Sequence, residues 1–569
     1  MTVALTSRLQ QLRLREHQLF LALSIVIGIL AGLSAVLFTL AIDRTSHLFF
    51  GLAPGHLRLF LVPALVSIVT GILLATIFPD VRGSGVPQTE AAYRLHGGNI
   101  PARVPIGKFL TGVLCIGSGH SMGREGPSVQ IGAGIASVAG RFLRLTPERA
   151  RALIPVGAAG ALSAAFNTPV AAVIFALEEI IGDMNAGLLG STVVASVASV
   201  IVERSILGNT PLFRVPAYHL VHPAELIGYA ALGIVGGVVS LVFCKSLLGL
   251  RALFLSMPKS TRWFQPAIGG VAIGLLLIVS PAVMGVGYEY VDQALNGGLV
   301  FKTLLLLCIL KLGATVISYS SGNAGGIFAP SLYIGAMAGG AVGSLVHRLA
   351  PFPTGDPGAY ALVGMGTLFA GIVRAPMTSV FMIFEVTQDY QILVPLMVAN
   401  LLSFVISRRY QPVPVYHALL EQDHIHLPAA GSASVASRGW RARDVMSAVP
   451  VVLAPERSVD SVWADVATAG HPWLVGTPEE LVGVITPEQL TLAKESGQGG
   501  QAIRTLVEPT FSHAHPDHPL DVVLERLSES EGLLPVISRH DTRHLEGIVT
   551  LDDVARVVSR ARRRKLSRQ

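Results

Sequence analysis

The first 420 residues alternate long apolar runs with short polar breaks, and the chain then changes character. The windows Leu19–Ile42, Leu57–Ile77 and Leu226–Leu248 approach the roughly 20 apolar residues that cross a bilayer as a helix. Ala267–Val279 and Ile392–Ile406 do so with their flanks. Glycines and prolines interrupt many of the runs, and inside a membrane such breaks are tolerated where the freed backbone lines a cavity. The pattern predicts an all-α polytopic membrane region over residues 1–420 and a linker over 421–440, which opens Glu-Gln-Asp-His-Ile-His and continues in small residues. A polar region, 441–569, follows, with short strands and amphipathic helices at Val459–Val466 and Leu520–Leu527. The first window is too long and too internal for a removable signal peptide, and it lacks a small-residue cleavage site.

Both regions repeat. Gly83 and Gly85 recur as Gly285 and Gly287, Leu95-His96-Gly97-Gly98 as Leu295-Asn296-Gly297-Gly298, and Lys108 as Lys311. Pro127 recurs as Pro330, and Pro169 with Glu178 nine residues on recurs as Pro376 with Glu385 nine on. The offsets drift only from 200 to 207, so the membrane region reads as two related halves, roughly 18–210 and 222–410. Duplicated frames of this kind are typical of transporters, with the site where interrupted helices of the halves meet. In the polar region Pro455 aligns with Pro516, Asp460 with Asp521, and Gly483-Val-Ile-Thr486 with Gly547-Ile-Val-Thr550.

Composition sharpens the class. Hydrophobic residues make up 51% of the chain and charged ones 14%, against about 25% charged in soluble domains. Mean hydropathy is +0.59. Much of the net charge of +6 sits at the ends, in Arg8, Arg13 and Arg15 and in Arg560, Arg562, Arg563, Arg564 and Lys565. Basic flanks favour the cytoplasmic side and anionic lipid headgroups, and nucleic acid is not an expected partner. Cys115, Cys244 and Cys308 are scattered through apolar runs, which excludes a disulfide framework and a zinc site. His513, His515 and His518, with His424 and His426 in the linker, fall in loop-like sequence and are not read as metal ligands.

The charge that matters most is Glu125, in Gly123-Arg124-Glu125-Gly126-Pro127 between two apolar stretches. A carboxylate at membrane depth marks by default an ion path or proton relay. The helix starts in Gly83-Ser84-Gly85-Val86-Pro87 and Gly325-Gly326-Ile327-Phe328-Ala329-Pro330 offer unpaired N–H groups and the positive end of the helix dipole, which suits an anion. Partial charges hold an anion loosely enough for turnover. On residue grounds alone Ser84 reads as a helix cap and Tyr416 as an interfacial anchor, whereas a structural pair of Glu125 with Arg124 would not explain the helix-breaking residues around it.

Those three motifs, with Tyr416 in Pro-Val-Pro-Val-Tyr-His, resemble the CLC family of chloride channels and chloride/proton exchangers, and the polar pair resembles its tandem cystathionine-β-synthase-type (CBS) domains. The resemblance implies an inverted-repeat homodimer with one pathway per subunit, both termini cytoplasmic, no enzyme chemistry and no cofactor in the membrane. Compactness and the short N-terminal stretch point to a prokaryotic plasma membrane. The resemblance also implies that Ser84, Tyr416 and the backbone N–H groups of Ile327 and Phe328 bind chloride. Glu125 gates an outer anion site formed by the backbone of Arg124 and Gly126. Exchangers carry a second glutamate, here Glu179, that relays protons from the cytoplasm, whereas channels are apolar there. Glu178 recurs as Glu385 and is expected to serve a structure common to both halves. A serine at 84 accompanies chloride preference in the family, with nitrate and bromide also conducted. A passive channel gated by Glu125, and a transporter whose rate a nucleotide sets, are the alternatives.

In the CBS pair, Thr550 and Asp553 match residues that hold the ribose and phosphate of an adenine nucleotide, while Gln489 departs from the pattern after Thr486. One nucleotide site, or none, is expected. Gly119-His120-Ser121-Met122-Gly123 fits the nucleophile elbow of serine hydrolases, but it lies in membrane-type sequence rather than a strand–turn–helix.

Overall fold

The computed structural model describes residues 2–557 except 52–53, 183–185, 209–211, 214, 217, 219, 389, 426, 428–439, 450–451, 468–471, 478, 508–510, 531, 540 and 542. Two compact units divide the chain, residues up to 428 and residues from 429.

The first unit is helical throughout. Among the described residues, seven helices are long and apolar enough to cross a membrane, including Gln18–Phe50, His56–Thr76, Glu225–Ser256 and Phe301–Ser320. Shorter helices, such as Val86–Arg94, Pro169–Phe175 and Tyr288–Leu295, end inside the protein. Such ends leave N–H and C=O groups that water cannot reach, so each must find a partner.

The two halves solve this in the same way. Lys108 is fully buried and its Nζ donates to the carbonyls of Val81 and Gly83, at 2.9 and 2.6 Å. Lys311 donates to those of Val283 and Gly285, at 3.0 and 2.7 Å. Each lysine thus holds the glycine-rich break of its own half. Glu178 accepts from the backbone N–H of Met377 and Thr378, at 3.2 and 2.8 Å, at the start of helix Pro376–Thr387. Glu385 accepts from Val170 and Ala171, at 2.9 and 2.7 Å, at the start of Pro169–Phe175. Each carboxylate caps a helix of the other half, which is the common structural purpose expected of Glu178.

Small residues let the helix pairs of each half touch backbone to backbone. A Cβ on Gly132 would lie 2.3 Å from the carbonyl of Gly157, and one on Gly335 would lie 2.3 Å from that of Gly364. These contacts pack Glu125–Phe142 on Pro147–Phe166 and Phe328–Leu349 on Pro357–Ile372.

The second unit holds two antiparallel pairs, Trp473–Gly476 with Leu481–Ile485 and Leu533–Ile537 with Leu545–Thr550. Leu453 adds a parallel bridge to Val475, and Ala514 adds one to Val536 at the corresponding place. Helix Leu520–Glu529 buries Leu520, Val523 and Leu527 at helical spacing, and Val459–Ala467 buries Val459, Val462 and Val466. A shared core of Leu474, Leu481, Leu533, Ile537, Leu545 and Ile548 joins the pairs.

Lys108→Met should leave the Val81 carbonyl unpaired, since Gly83 O keeps its bond from Gly325 N, and Lys311→Met should leave those of Val283 and Gly285 unpaired, at a cost of about 1–3 kcal/mol per group. Thermal unfolding of the detergent-solubilised protein should show a fall in Tm for both variants, the larger for Lys311→Met. A large fall for one and none for the other would contradict equivalent roles in the two halves.

Candidate functional site

Three unwound segments meet inside the first unit. Gly83 N donates to Asn323 O at 3.2 Å and Gly325 N to Gly83 O at 3.1 Å. Gly123 and Gly326 exchange both backbone hydrogen bonds at 2.8 Å. These bonds satisfy the broken backbone and aim three helix starts, Val86–Arg94, Glu125–Phe142 and Phe328–Leu349, at one place. Arg124 is the N-cap of the second and Ile327 of the third. Gly85 stands at φ +108°, where a side chain would be strained. A Cβ on Gly126 would lie 2.5 Å from Ser84 Oγ, so only glycine lets the second helix start approach that serine.

Ser84 and Tyr416 are fully buried, and neither hydroxyl has a hydrogen-bond partner. Tyr416 sits in the helix Val415–Gln422, within reach of the charges of Glu179 and Glu125. Leaving a buried hydroxyl unsatisfied costs about 1–3 kcal/mol. Two such donors among helix starts make a place for an anion. Lys108 and Lys311 are engaged with carbonyls, so partial charges and not a free ammonium would hold it. Ile327 and Phe328 are buried beside it, and the Phe328 ring packs on Phe166, Phe175 and Phe369 with centroids 4.3–5.7 Å apart.

Glu125 is fully buried at its helix start. Its Oε1 accepts from Tyr288 Oη at 2.6 Å, and Oε2 has no partner. A Cβ on Gly123 would meet Oε2 at 2.3 Å and Ala329 N at 3.1 Å, so the carboxylate is folded back into the gap between helix starts. The sequence reading missed Tyr288; the available signal was its place directly after the repeated Gly285-Val-Gly287. Arg124 lies over the Tyr288 ring, 5.7 Å from its centroid, rather than serving as the carboxylate's hydrogen-bond partner.

Glu179 lies in a π-helical turn, Ala176–Ile181, and is 8% exposed, so it is not a solvated helix end. Single π turns inside helices are frequent at functional sites. The charges acting on Glu179 are Glu90, Glu178 and Arg94. Glu90, also missed from sequence, is a second fully buried carboxylate; its only signal was its place six positions after Ser84, in a stretch that also holds Gln88, Thr89 and Arg94.

Ser121, in the segment that fits a nucleophile elbow, is buried against Thr315 Oγ1 at 3.0 Å in an all-helical unit, which removes the hydrolase reading. Among the described residues no group of three or more His, Cys, Asp or Glu could hold a metal ion; His426 lies outside them. All three cysteines are free and buried.

In the second unit Asp553 Oδ2 accepts from Thr550 N and Oγ1, at 3.0 and 2.7 Å, while Oδ1 accepts from Ser447. Burial works to raise the Asp553 carboxyl, but the hydrogen bonds from Ser447 and Thr550 outweigh it and hold it below its ordinary value. Gln489 Oε1 accepts from Thr486 N at 3.0 Å, so in the first repeat a neutral amide takes the acid's structural place.

Comparison with known proteins agrees with this frame. A family model described as voltage gated chloride channel matches residues 66–408, more than half of the chain. The chain belongs to the CLC family. A CBS domain model matches residues 504–560. The H(+)/Cl(-) exchange transporter ClcA of Vibrio cholerae is 33% identical over 420 residues, covering 71% of this chain and 89% of the relative. A putative chloride channel protein, ClcB-like, of Ralstonia nicotianae is 32% identical over 381 residues, covering 65% and 88%. The solved structure of a slow cyanobacterial Cl-/H+ antiporter aligns with a TM-score of 0.65 at 30% identity, over 71% of this chain and 97% of that one. A eukaryotic CLC transporter aligns over 94% and 97% with a TM-score of 0.61; at 20% identity it supports the fold alone. Like these relatives, the chain is an integral membrane protein.

Gly126→Ala should push Ser84 from its place and weaken chloride binding about tenfold, some 1.4 kcal/mol. Calorimetric chloride titration of the solubilised protein measures this. Gly249→Ala is the control, because a Cβ there meets nothing within 4 Å. Equal affinities in the two variants would remove Ser84 from the anion site.

Proposed function

We propose that the protein exchanges chloride for protons across the membrane, with Ser84, Tyr416 and the backbone N–H groups of Ile327 and Phe328 holding the central anion. The observation that carries this reading is the Glu125 carboxylate, buried with one free oxygen beside the helix starts that suit an anion. Ionised, Glu125 is itself an anion and fills the outer position formed by the backbone of Arg124 and Gly126. Protonated, it loses the charge that holds it there and swings out, and chloride takes its place. One group thus couples the two substrates.

Burial of Glu179 favours exchange over passive conduction, because a buried carboxylate held near Glu90 and Arg94 is a costly feature that a channel does not use. In this reading Glu179 passes protons toward Glu125 from the cytoplasmic side. Basic terminal segments support cytoplasmic ends in a prokaryotic plasma membrane, and the protein works as a homodimer with a pathway in each subunit. Residues 1–420 form the transport domain, 421–440 the linker and 441–569 a CBS pair that takes one adenine nucleotide at Thr550 and Asp553.

Purified protein in liposomes under a chloride gradient should drive protons uphill from an initially equal pH. Glu125→Gln and Glu179→Gln should each reduce proton movement to the leak of empty vesicles while chloride still passes. Chloride flux without proton movement in the unaltered protein would make it a channel. Calorimetry with ATP or AMP should give one site per chain, lost in Asp553→Ala and kept in Gln489→Ala. No heat of binding in the unaltered protein would make the CBS pair a scaffold.

A further inference from the structure

Glu90 follows Ser84 by six residues in the helix Val86–Arg94 and has no part in the anion site. Its side chain is wholly buried. Arg94, one turn on, pairs with its Oε1 at 3.1 Å, and His417 Nε2 approaches the same oxygen at 2.9 Å. Oε2 is buried without a partner. The helix packs on the π-helical turn that carries Glu179, and Glu90 and Glu179 act on each other's charge. Exposure falls from 31% for the His417 side chain to none for Glu90, and Glu179 beyond it is also buried, at 8%. The short helix of His417 runs into the exposed polar residues Glu421 and His424, so its ring stands at the polar end of the unit.

We propose that His417 loads protons onto Glu90, which hands them to Glu179; this rests on the exchange reading above. The imidazolium gives its Nε2 proton to Glu90 Oε1, breaking an N–H bond and forming an O–H bond. Neutral imidazole and a carboxylic acid remain. The acid passes the proton to the Glu179 carboxylate and returns to its ionised form, and His417 takes a new proton from water. Histidine suits the first step because both ring nitrogens donate when it is charged and one of them accepts a proton when it is neutral.

The surrounding charges fit this cycle. Arg94 stays beside Glu90 Oε1 as a fixed positive charge throughout the cycle. From the neighbouring helix Glu225–Ser256, Arg251 is engaged with Gln422 and Asp423, at 2.9 and 2.6 Å, and so is not held by His417. Glu178 is held by the Met377 and Thr378 amides, and Tyr416 adjoins His417 in the chain. Because Oε2 of Glu90 has no partner, the protonated carboxyl can turn about its Cγ–Cδ bond and carry the proton on Oε1 away from His417 before releasing it.

His417 also ties the helix of Tyr416 to the helix after Ser84, so the test must separate proton transfer from positioning. In liposomes, chloride-driven proton flux should fall about tenfold in His417→Gln and His417→Ala, less than the full value of a positioned proton donor because water still reaches the site. The dependence of flux on pH at the Glu179 side should flatten in both variants. Added imidazole should restore flux to His417→Ala but not raise that of the unaltered protein. Chloride affinity, measured by calorimetry, should be unchanged in both.

Unaltered flux and pH profile in both variants would overturn the proposal. Loss of flux with weakened chloride binding and no imidazole rescue would assign His417 to positioning instead. If the unaltered protein moves no protons, the exchange reading fails and the relay proposal falls with it.

Discussion

Backbone groups exposed by a broken helix cannot be left without partners at membrane depth. Every part of this site follows from how that demand is met. Gly123 and Gly326 bond each other across the two halves, and Gly83 bonds the segment at Asn323 and Gly325. Lys108 and Lys311 take the carbonyls of the glycine-rich breaks. Glu178 and Glu385 take N–H groups at two further helix starts. Once these structural needs are satisfied, the hydroxyls of Ser84 and Tyr416 are among the donors still free, and they stand beside the helix starts around Glu125. A pathway for anions is what remains when the scaffold has used its charges elsewhere.

The duplication explains why full charges can be buried at all. An isolated lysine or glutamate in an apolar frame is expensive, but each here meets a fixed set of backbone dipoles supplied by the same element in the other half or its own. The departures from symmetry then carry the function. Pro127 and Pro330 occupy matching places, yet Glu125 has Phe328 as its counterpart. Glu178 and Glu385 match, yet Glu179 is matched by Val386. Glu125 and Glu179, the gate and the inner relay of the proposed exchange, each stand where the other half has an apolar residue.

Much of this was legible before the structure because it rests on residue type at fixed spacing. The recurrence of Lys108 as Lys311 and of Glu178 as Glu385 disclosed two halves, and the apolar windows fell on helices. Glycine and proline clusters marked the helix starts, and a lone carboxylate between them marked the site. The partners were not legible. Tyr288 reaches Glu125 from 163 residues away and His417 reaches Glu90 from 327, and neither pairing leaves a local pattern. Nor does spacing reveal the π turn that turns Glu179 inward, since the same run of residues reads as an ordinary helix end. In the CBS pair, Gln489 read as a lost site is also a preserved cap, a distinction visible only from its bond to Thr486.

The central claim is that Glu125 and chloride compete for one place beside a second anion held by Ser84 and Tyr416. Anomalous diffraction from bromide-soaked crystals of the unaltered protein and of Glu125→Gln tests it directly. The account predicts a bromide peak between the Ser84 and Tyr416 hydroxyls in both. A second peak, where the carboxylate now lies between Gly123 and Ala329, should appear in Glu125→Gln alone. No peak at the hydroxyls, or identical peaks in both proteins, would contradict it.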